Sequence, residues 1–191
     1  FFKHTNNKPY VILKIASSLD GKSHIESEER TIITSKASRY DVQILRASCD
    51  AILTGGNTLR NDNPRMNARV NFPTNQPKKI LLTSKDCDKE LNFFKDNDVQ
   101  IYKNKDLAQI IKSFKDQDFC SILIEAGPKL ANSFLELGLV DEIISYTSNN
   151  ELGDKAVSWF KENNAIENYG FKLESSYKID SDIKEVFKKN G

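Results

Sequence analysis

Short runs of aliphatic and β-branched residues recur along this chain, and most stop at a small or hydroxyl residue with a helix signal beyond. The runs are Tyr10–Ile15, Ala51–Thr54, Lys79–Thr83, Val99–Tyr102, Ser121–Glu125 and Val140–Tyr146. Apolar on consecutive positions rather than alternating, they suit strands covered on both faces. Helices fall between them. Thr34 or Ser35 can cap one running to about Ser48, a shorter one lies around Thr58–Arg60, and another near 89–94. Leu107, Ile110, Ile111 and Phe114 repeat at helical spacing. Phe171–Lys188 reads as two antiparallel strands turning near Asp180–Asp182. The pattern predicts an α/β fold: a mostly parallel central sheet flanked by helices, with antiparallel C-terminal strands. Ligands of such sheets bind beyond the carboxyl ends of the strands.

A chain of 191 residues fits one domain, read here as 9–191 after a tail or linker at 1–8. Its first residue is Phe1, so a piece of a longer protein is expected. Lys+Arg 28 against Asp+Glu 27 gives no basic excess for nucleic acid. Apolar runs such as Pro9–Ile15 and Phe119–Ile124 are too short to span a bilayer, so no membrane role is expected. Cys49, Cys87 and Cys120 lack ligand spacing and the histidines are only His4 and His24, so no metal is expected. Reduced thiols of this kind fit the cytoplasm.

Two strand ends share a design suited to phosphate. Leu53-Thr54-Gly55-Gly56-Asn57-Thr58 and Ile124-Glu125-Ala126-Gly127-Pro128-Lys129-Leu130 each place glycine between a strand and a helix. Glycine lets an anion approach the backbone, and the first amides of the helix can donate to it. Such glycines also serve turns alone, and neither stretch is a dinucleotide fingerprint or a Walker loop. Leu82-Thr83-Ser84-Lys85 adds a hydroxyl and a cation that would suit an extra phosphate on an adenosine ribose, or simply a solvated strand end.

Charged residues in apolar settings form a second group. Arg46 falls on the inner side of its helix, and Arg65 and Arg69 flank Met66 after Asn63-Pro64. Converging guanidinium forks would hold a phosphoester, although Arg65 especially suits a surface ion pair. Lys14 interrupts Val11–Ile15, and Glu125 ends Ile122–Ile124. Lys14 either snorkels to the edge or points into a polar cavity. An unpaired buried carboxylate is costly, so both charges are expected to face one polar site.

In order, Lys14-Ile15-Ala16-Ser17-Ser18-Leu19-Asp20-Gly21, Ile33-Thr34-Ser35, Asp41-Val42-Gln43-Ile44-Leu45-Arg46, Thr58-Leu59-Arg60-Asn61-Asp62-Asn63-Pro64 and Glu125-Ala126-Gly127-Pro128 resemble one family. It is the reductase domain of bacterial riboflavin biosynthesis, with a dihydrofolate-reductase-like fold. The resemblance runs from about Pro9 to Phe187. It implies NADPH-dependent reduction of 5-amino-6-(5-phosphoribosylamino)uracil to its ribitylamino form. It implies cofactor contacts at Ala16, Thr58, Asp62, Ser84 and the turn Gly127, Pro128, Lys129, Leu130, Ala131, Asn132 and Ser133. Substrate contacts would fall on Lys14, Arg46, Met66, Arg69 and Glu125. Where the family commonly has a substrate-binding serine and a cofactor-side tryptophan, this chain has Arg30 and Ile32.

The resemblance also implies a homodimer through the C-terminal strands and, in many members, fusion to a zinc deaminase whose HxE…PCxxC signature is missing from this sequence. Asp20 and Glu125 are the candidate proton donors, beside a substrate-held water. Two rivals stand beside this reading. A pterin reductase would want a carboxylate facing its ring and no phosphate pocket. A non-catalytic nucleotide-binding dimerisation module would tolerate Arg30 and Ile32.

Overall fold

In the computed structural model, which describes residues 7–25, 31–96, 99–103, 106–161 and 164–189, the apolar runs assemble into one eight-stranded sheet. The first half of the chain supplies β1 (Tyr10–Ser17), β2 (Lys22–Ile25), α1 (Lys36–Ala47), β3 (Ala51–Gly55), α2 (Gly56–Asp62) and β4 (Lys78–Leu82). Next come β5 (Val99–Tyr102), α3 (Leu107–Ser113), β6 (Ser121–Ile124), α4 (Pro128–Glu136) and β7 (Glu142–Thr147). β8 (Ala156–Ser158), β9 (Phe171–Ile179) and β10 (Asp182–Lys189) complete it. The large sheet runs β5-β4-β3-β6-β1-β7-β10-β9, and β2 pairs with β8 separately. Neighbours from β5 to β7 are parallel, while β10 pairs antiparallel with β7 and β9. The chain builds outward from β1 through β3, β4 and β5, then returns to insert β6 between β3 and β1. That reversal opens a crevice at the carboxyl end of β6.

Side chains alternate between two apolar layers. Val11, Leu13 and Ile15 of β1 pack in one with Leu107, Ile110, Ile111 and Phe114 of the α3 region and with Phe134 of α4. Ile12 lies in the other with Val42, Leu59, Met66 and Phe93. Lys14, two residues on, points to this second side, so it must meet polar company there.

The face that α1 buries differs from the one its apolar residues suggest. Ser38, Val42 and Arg46 are buried, while Ile44 is 40% exposed and Ala37 faces solvent. A helix covering a polar site carries polar groups on its inner row, and hydrophobic periodicity alone then points elsewhere. Its start is as expected: Ser35 accepts from Ser38 N at 3.1 Å. The Asp182 carboxylate fastens the same turn to β10, accepting from Ser35 N at 2.7 Å and from the Ser38 hydroxyl at 2.6 Å.

Other departures are local. The segment near 89–94 is a single 3-10 turn, Asn92–Phe94, whose Phe93 carbonyl accepts from the buried Lys79 ammonium at 2.8 Å. Asn63 ends α2 by leaving the helical region before Pro64, and does so in the left-handed conformation at φ 38°. Asparagine tolerates that conformation, and here its carbonyl Oδ1 also accepts from Asn92 N at 2.7 Å. The β2–β8 pair has no counterpart in the sequence reading. No helix among the described residues is long and apolar enough to cross a membrane.

Candidate active site

A cavity of roughly 1680 Å³ runs along the carboxyl ends of β1, β3, β4 and β6. It exceeds the ~300–1000 Å³ usual for one small ligand, so it has room for two. At one end lies a charge cluster built by β1, β6 and α1. Glu125 accepts a bidentate pair of bonds from Arg46, at 2.6 Å from Nε and 3.0 Å from Nη2. Lys14 Nζ stands 3.7 Å from the same carboxylate. Burial alone would raise the Glu125 pKa, but the Arg46 and Lys14 charges outweigh it and lower it to about 2. Glu125 therefore stays ionised and is no proton donor near neutrality.

Arg46 and Arg69 are bridged by two neutral residues, Asn67 and Gln43. Arg46 Nη1 donates to the Asn67 carbonyl at 3.3 Å, and Arg69 Nη1 donates to Asn67 Oδ1 at 2.6 Å. Gln43 Oε1 accepts from Arg69 N at 3.2 Å and from Arg46 Nη1 at 3.5 Å. Arg46 thus spends its fork on Glu125, while the exposed Arg69 lines the cavity itself. Met66, packed with Val42, Leu59 and Phe93, is buried at φ 47°, a strained conformation for a long side chain that persists only where its surroundings hold it. Arg65, at the cavity's edge, pairs with Asp96 at 2.6 Å, the surface ion pair foreseen for it.

The glycine turns divide in their roles. A Cβ on Gly55 would meet Leu130 Cδ2 at 3.0 Å, and one on Gly56 would meet Thr83 Oγ1 at 2.5 Å. Those two glycines make room for neighbouring side chains, which corrects their reading as an open approach for an anion. Gly127 is different. Nothing but Thr58 Oγ1, at 3.9 Å, comes within 4 Å of its Cβ position. Its amide donates to that hydroxyl at 3.2 Å, clasping the turn before α4 to α2. The space beside it opens into the cavity.

Of the remaining cofactor-side residues, Ala16, Ile32, Thr58, Asp62, Ser84, Pro128, Lys129, Leu130 and Ser133 line the cavity. Ala131 and Asn132 do not. Ala131 is on the inward face of α4, 1% exposed, and the Asn132 amide donates to the Pro128 and Trp159 carbonyls. Helical periodicity turns both side chains away from the opening. Ile32 is 68% exposed and supplies no packed wall. Arg30 lies outside the described residues. Asp20 acts as a staple: its carboxylate accepts from the Ser18 hydroxyl and from the Leu152 and Gly153 amides, which holds its pKa down at about 2.

Residues 9–184 match the family model described as the RibD C-terminal domain. The chain belongs to this family. Among curated relatives, the riboflavin biosynthesis protein RibD of Buchnera aphidicola is 30% identical and is matched over all of this chain and 62% of its own length. The Escherichia coli RibD is 32% identical, over 78% of this chain and 50% of that protein. The chain thus spans about half to three-fifths of the relatives it matches. Among solved structures, Acinetobacter baumannii RibD superposes with a TM-score of 0.90 at 29% identity, covering all of this chain and 60% of that one. The Saccharomyces riboflavin biosynthesis reductase Rib7, at 17% identity and a TM-score of 0.69, shares the fold. The chain is accordingly a RibD C-terminal domain, with the dihydrofolate-reductase-like fold of its neighbours.

Two wall residues of this RibD domain escaped the sequence reading. Trp159, 6% exposed, donates its indole N–H to the Ala16 carbonyl at 2.7 Å from beside β8. Tyr146 is buried next to the charge cluster, its hydroxyl donating to Asp41 at 2.5 Å while Lys184 donates to the same carboxylate at 2.6 Å. Burial, then Asp41, pushes the phenol's pKa far up, so it stays protonated. A lone tryptophan and a lone tyrosine carry no motif; only the fold brings them to the cavity.

Proposed function

We propose that this RibD domain reduces 5-amino-6-(5-phosphoribosylamino)uracil to 5-amino-6-(5-phosphoribitylamino)uracil with NADPH. The observation that carries the reading is one cavity holding both a buried Lys14–Glu125–Arg46 cluster and the open Gly127 turn. The residues present fit a dinucleotide: Gly127 leaves vacant the space a Cβ would fill, and Ala16, Thr58, Ser84 and Lys129 line the same cavity. When bound, the cofactor supplies a hydride. The protein holds the substrate phosphate with Arg69, orients the pyrimidine and ribose with Lys14 and Glu125, and keeps water out with Tyr146, Met66 and Trp159. The acceptor is the sugar carbon bonded to nitrogen, as open carbonyl or imine.

The deciding experiment is NADPH oxidation in the presence of the deaminated pyrimidine phosphate; no oxidation above the substrate-free rate would sink the proposal. Arg69→Ala is expected to raise the substrate KM about 10- to 100-fold, the value of a charge-assisted phosphate contact. NADPH binding should barely change in that variant. Unchanged substrate affinity would remove Arg69 from the phosphate pocket. Against the pterin-reductase alternative stands the pairing of the cavity's buried carboxylate: Glu125 is already committed to Arg46 and Lys14. A homodimer through the C-terminal strands is part of the reading, supported by Leu173 and Tyr177, 53% and 55% exposed on the edge strand β9. Sedimentation equilibrium showing only monomer at micromolar concentrations would refute it.

A further inference from the structure

We infer that Arg60 selects the phosphorylated form of the dinucleotide, closing from α2 a two-sided cation clamp whose other side is Lys85. This rests on the dinucleotide reading above. Arg60 lines the far end of the cavity with Ser84, Lys85 and Lys103. Its side chain folds back over the start of its own helix: Nη2 donates to Asn57 Oδ1 at 2.7 Å, and Nη1 lies 3.7 Å from Cys87 Sγ. That path exists because residue 56 is glycine. A Cβ there would stand 3.0 Å from Arg60 Nη1 and 2.5 Å from Thr83 Oγ1.

The facing loop is equally built. The Thr83 hydroxyl donates to the Lys85 carbonyl at 2.9 Å and accepts from Lys85 N at 3.2 Å. This tight turn leaves Ser84 and Lys85 exposed at its apex, across Gly56 from the guanidinium. Lys103 is compensated by Asp86 at 2.9 Å. Among the described residues no carboxylate forms an ion pair with Arg60 or Lys85, so both cations and guanidinium donors to spare remain available to a bound anion. A planar fork opposite an ammonium suits a phosphate dianion rather than the bare hydroxyls of an unphosphorylated ribose.

The test is equilibrium binding of NADPH and NADH to the wild-type chain, Arg60→Ala and Arg60→Lys, followed by nicotinamide fluorescence. Arg60→Ala is expected to weaken NADPH at least about tenfold while shifting NADH by under about threefold, with Arg60→Lys between, since it keeps the charge and loses the fork. Alkylation of Cys87 offers a second readout: NADPH should protect it far better than NADH, with Cys120 as an internal control. A preference that survives Arg60→Ala, or an equal loss for both dinucleotides, overturns the assignment. A wild-type chain that binds NADPH no better than NADH does so too. One that binds neither refutes the cofactor reading itself, and this assignment falls with it.

Discussion

Arg46→Met is expected to cost about 3–5 kcal/mol of folding stability, read as a lowered urea midpoint, because it strands a buried charge. Glu125 is 5% exposed and receives both strong bonds from this one guanidinium. With Arg46 gone, only Lys14 remains, at 3.7 Å. The sign of the pH dependence follows from the depressed pKa. Folding lowers the Glu125 carboxyl from its ordinary 4.5 to about 2, so the stabilisation is full above the unfolded value and disappears as pH falls toward 2. In the variant, burial is largely unopposed and the carboxyl protonates more readily. The gap between wild type and variant should therefore narrow from pH 7 to pH 4.

The double variant Arg46→Met with Glu125→Leu removes both buried charges. Its stability should recover to within about 1–2 kcal/mol of wild type, while reductase activity does not return. A single variant costing under about 1 kcal/mol would mean that water reaches the pair and that its burial is misjudged.

The residues that gave away the fold are those whose setting is local. Leu107, Ile110, Ile111 and Phe114 all enter the core because helical spacing alone puts them on one face. Pro128 stands at the first turn of α4 and Gly127 at its cap, as their backbone preferences require. What stayed hidden depends on partners remote in sequence. β2 meets β8 through Lys22 and Ser158, and Lys-Ser-His-Ile has no alternation to announce a strand. Gly55 and Gly56 looked like an anion cradle because nothing in the sequence says that Leu130 and Thr83 come to rest against them.

The site shows the same division. Lys14 and Glu125 were conspicuous as charges inside apolar strands, and they do meet in one cluster. Arg46 was placed on the inner side of α1, yet the bond that occupies it could not be foreseen from its own helix. The buried row of that helix is polar because the surface beneath is the site.

Lys14→Met should lower kcat/KM about 100- to 1000-fold with little effect on folding. The cluster holds two cations against one carboxylate, and Arg46 already neutralises Glu125 through two bonds. Lys14 stands 3.7 Å from that carboxylate and has an edge on the cavity, its side chain 19% exposed. Methionine keeps most of the apolar stem, so the strand loses little packing.

What it removes is specific to the reaction. In the proposed reaction, hydride addition to the sugar carbon would move the electron pair of the carbonyl or imine to oxygen or nitrogen, and negative charge would grow there. A fixed cation beside that atom stabilises the transition state more than the ground state, an effect worth ~10²–10³ in comparable sites. Neither carboxyl candidate can supply the following proton, since Asp20 and Glu125 are both ionised down to about pH 2. Their titration therefore leaves no limb in the rate profile between about pH 5 and 8. Lys14→Arg keeps the charge in a bulkier, more spread form and should retain part of the activity. If Lys14→Met keeps more than a tenth of the wild-type kcat/KM, the ammonium is not beside the developing charge and Lys14 serves only the ground-state fold.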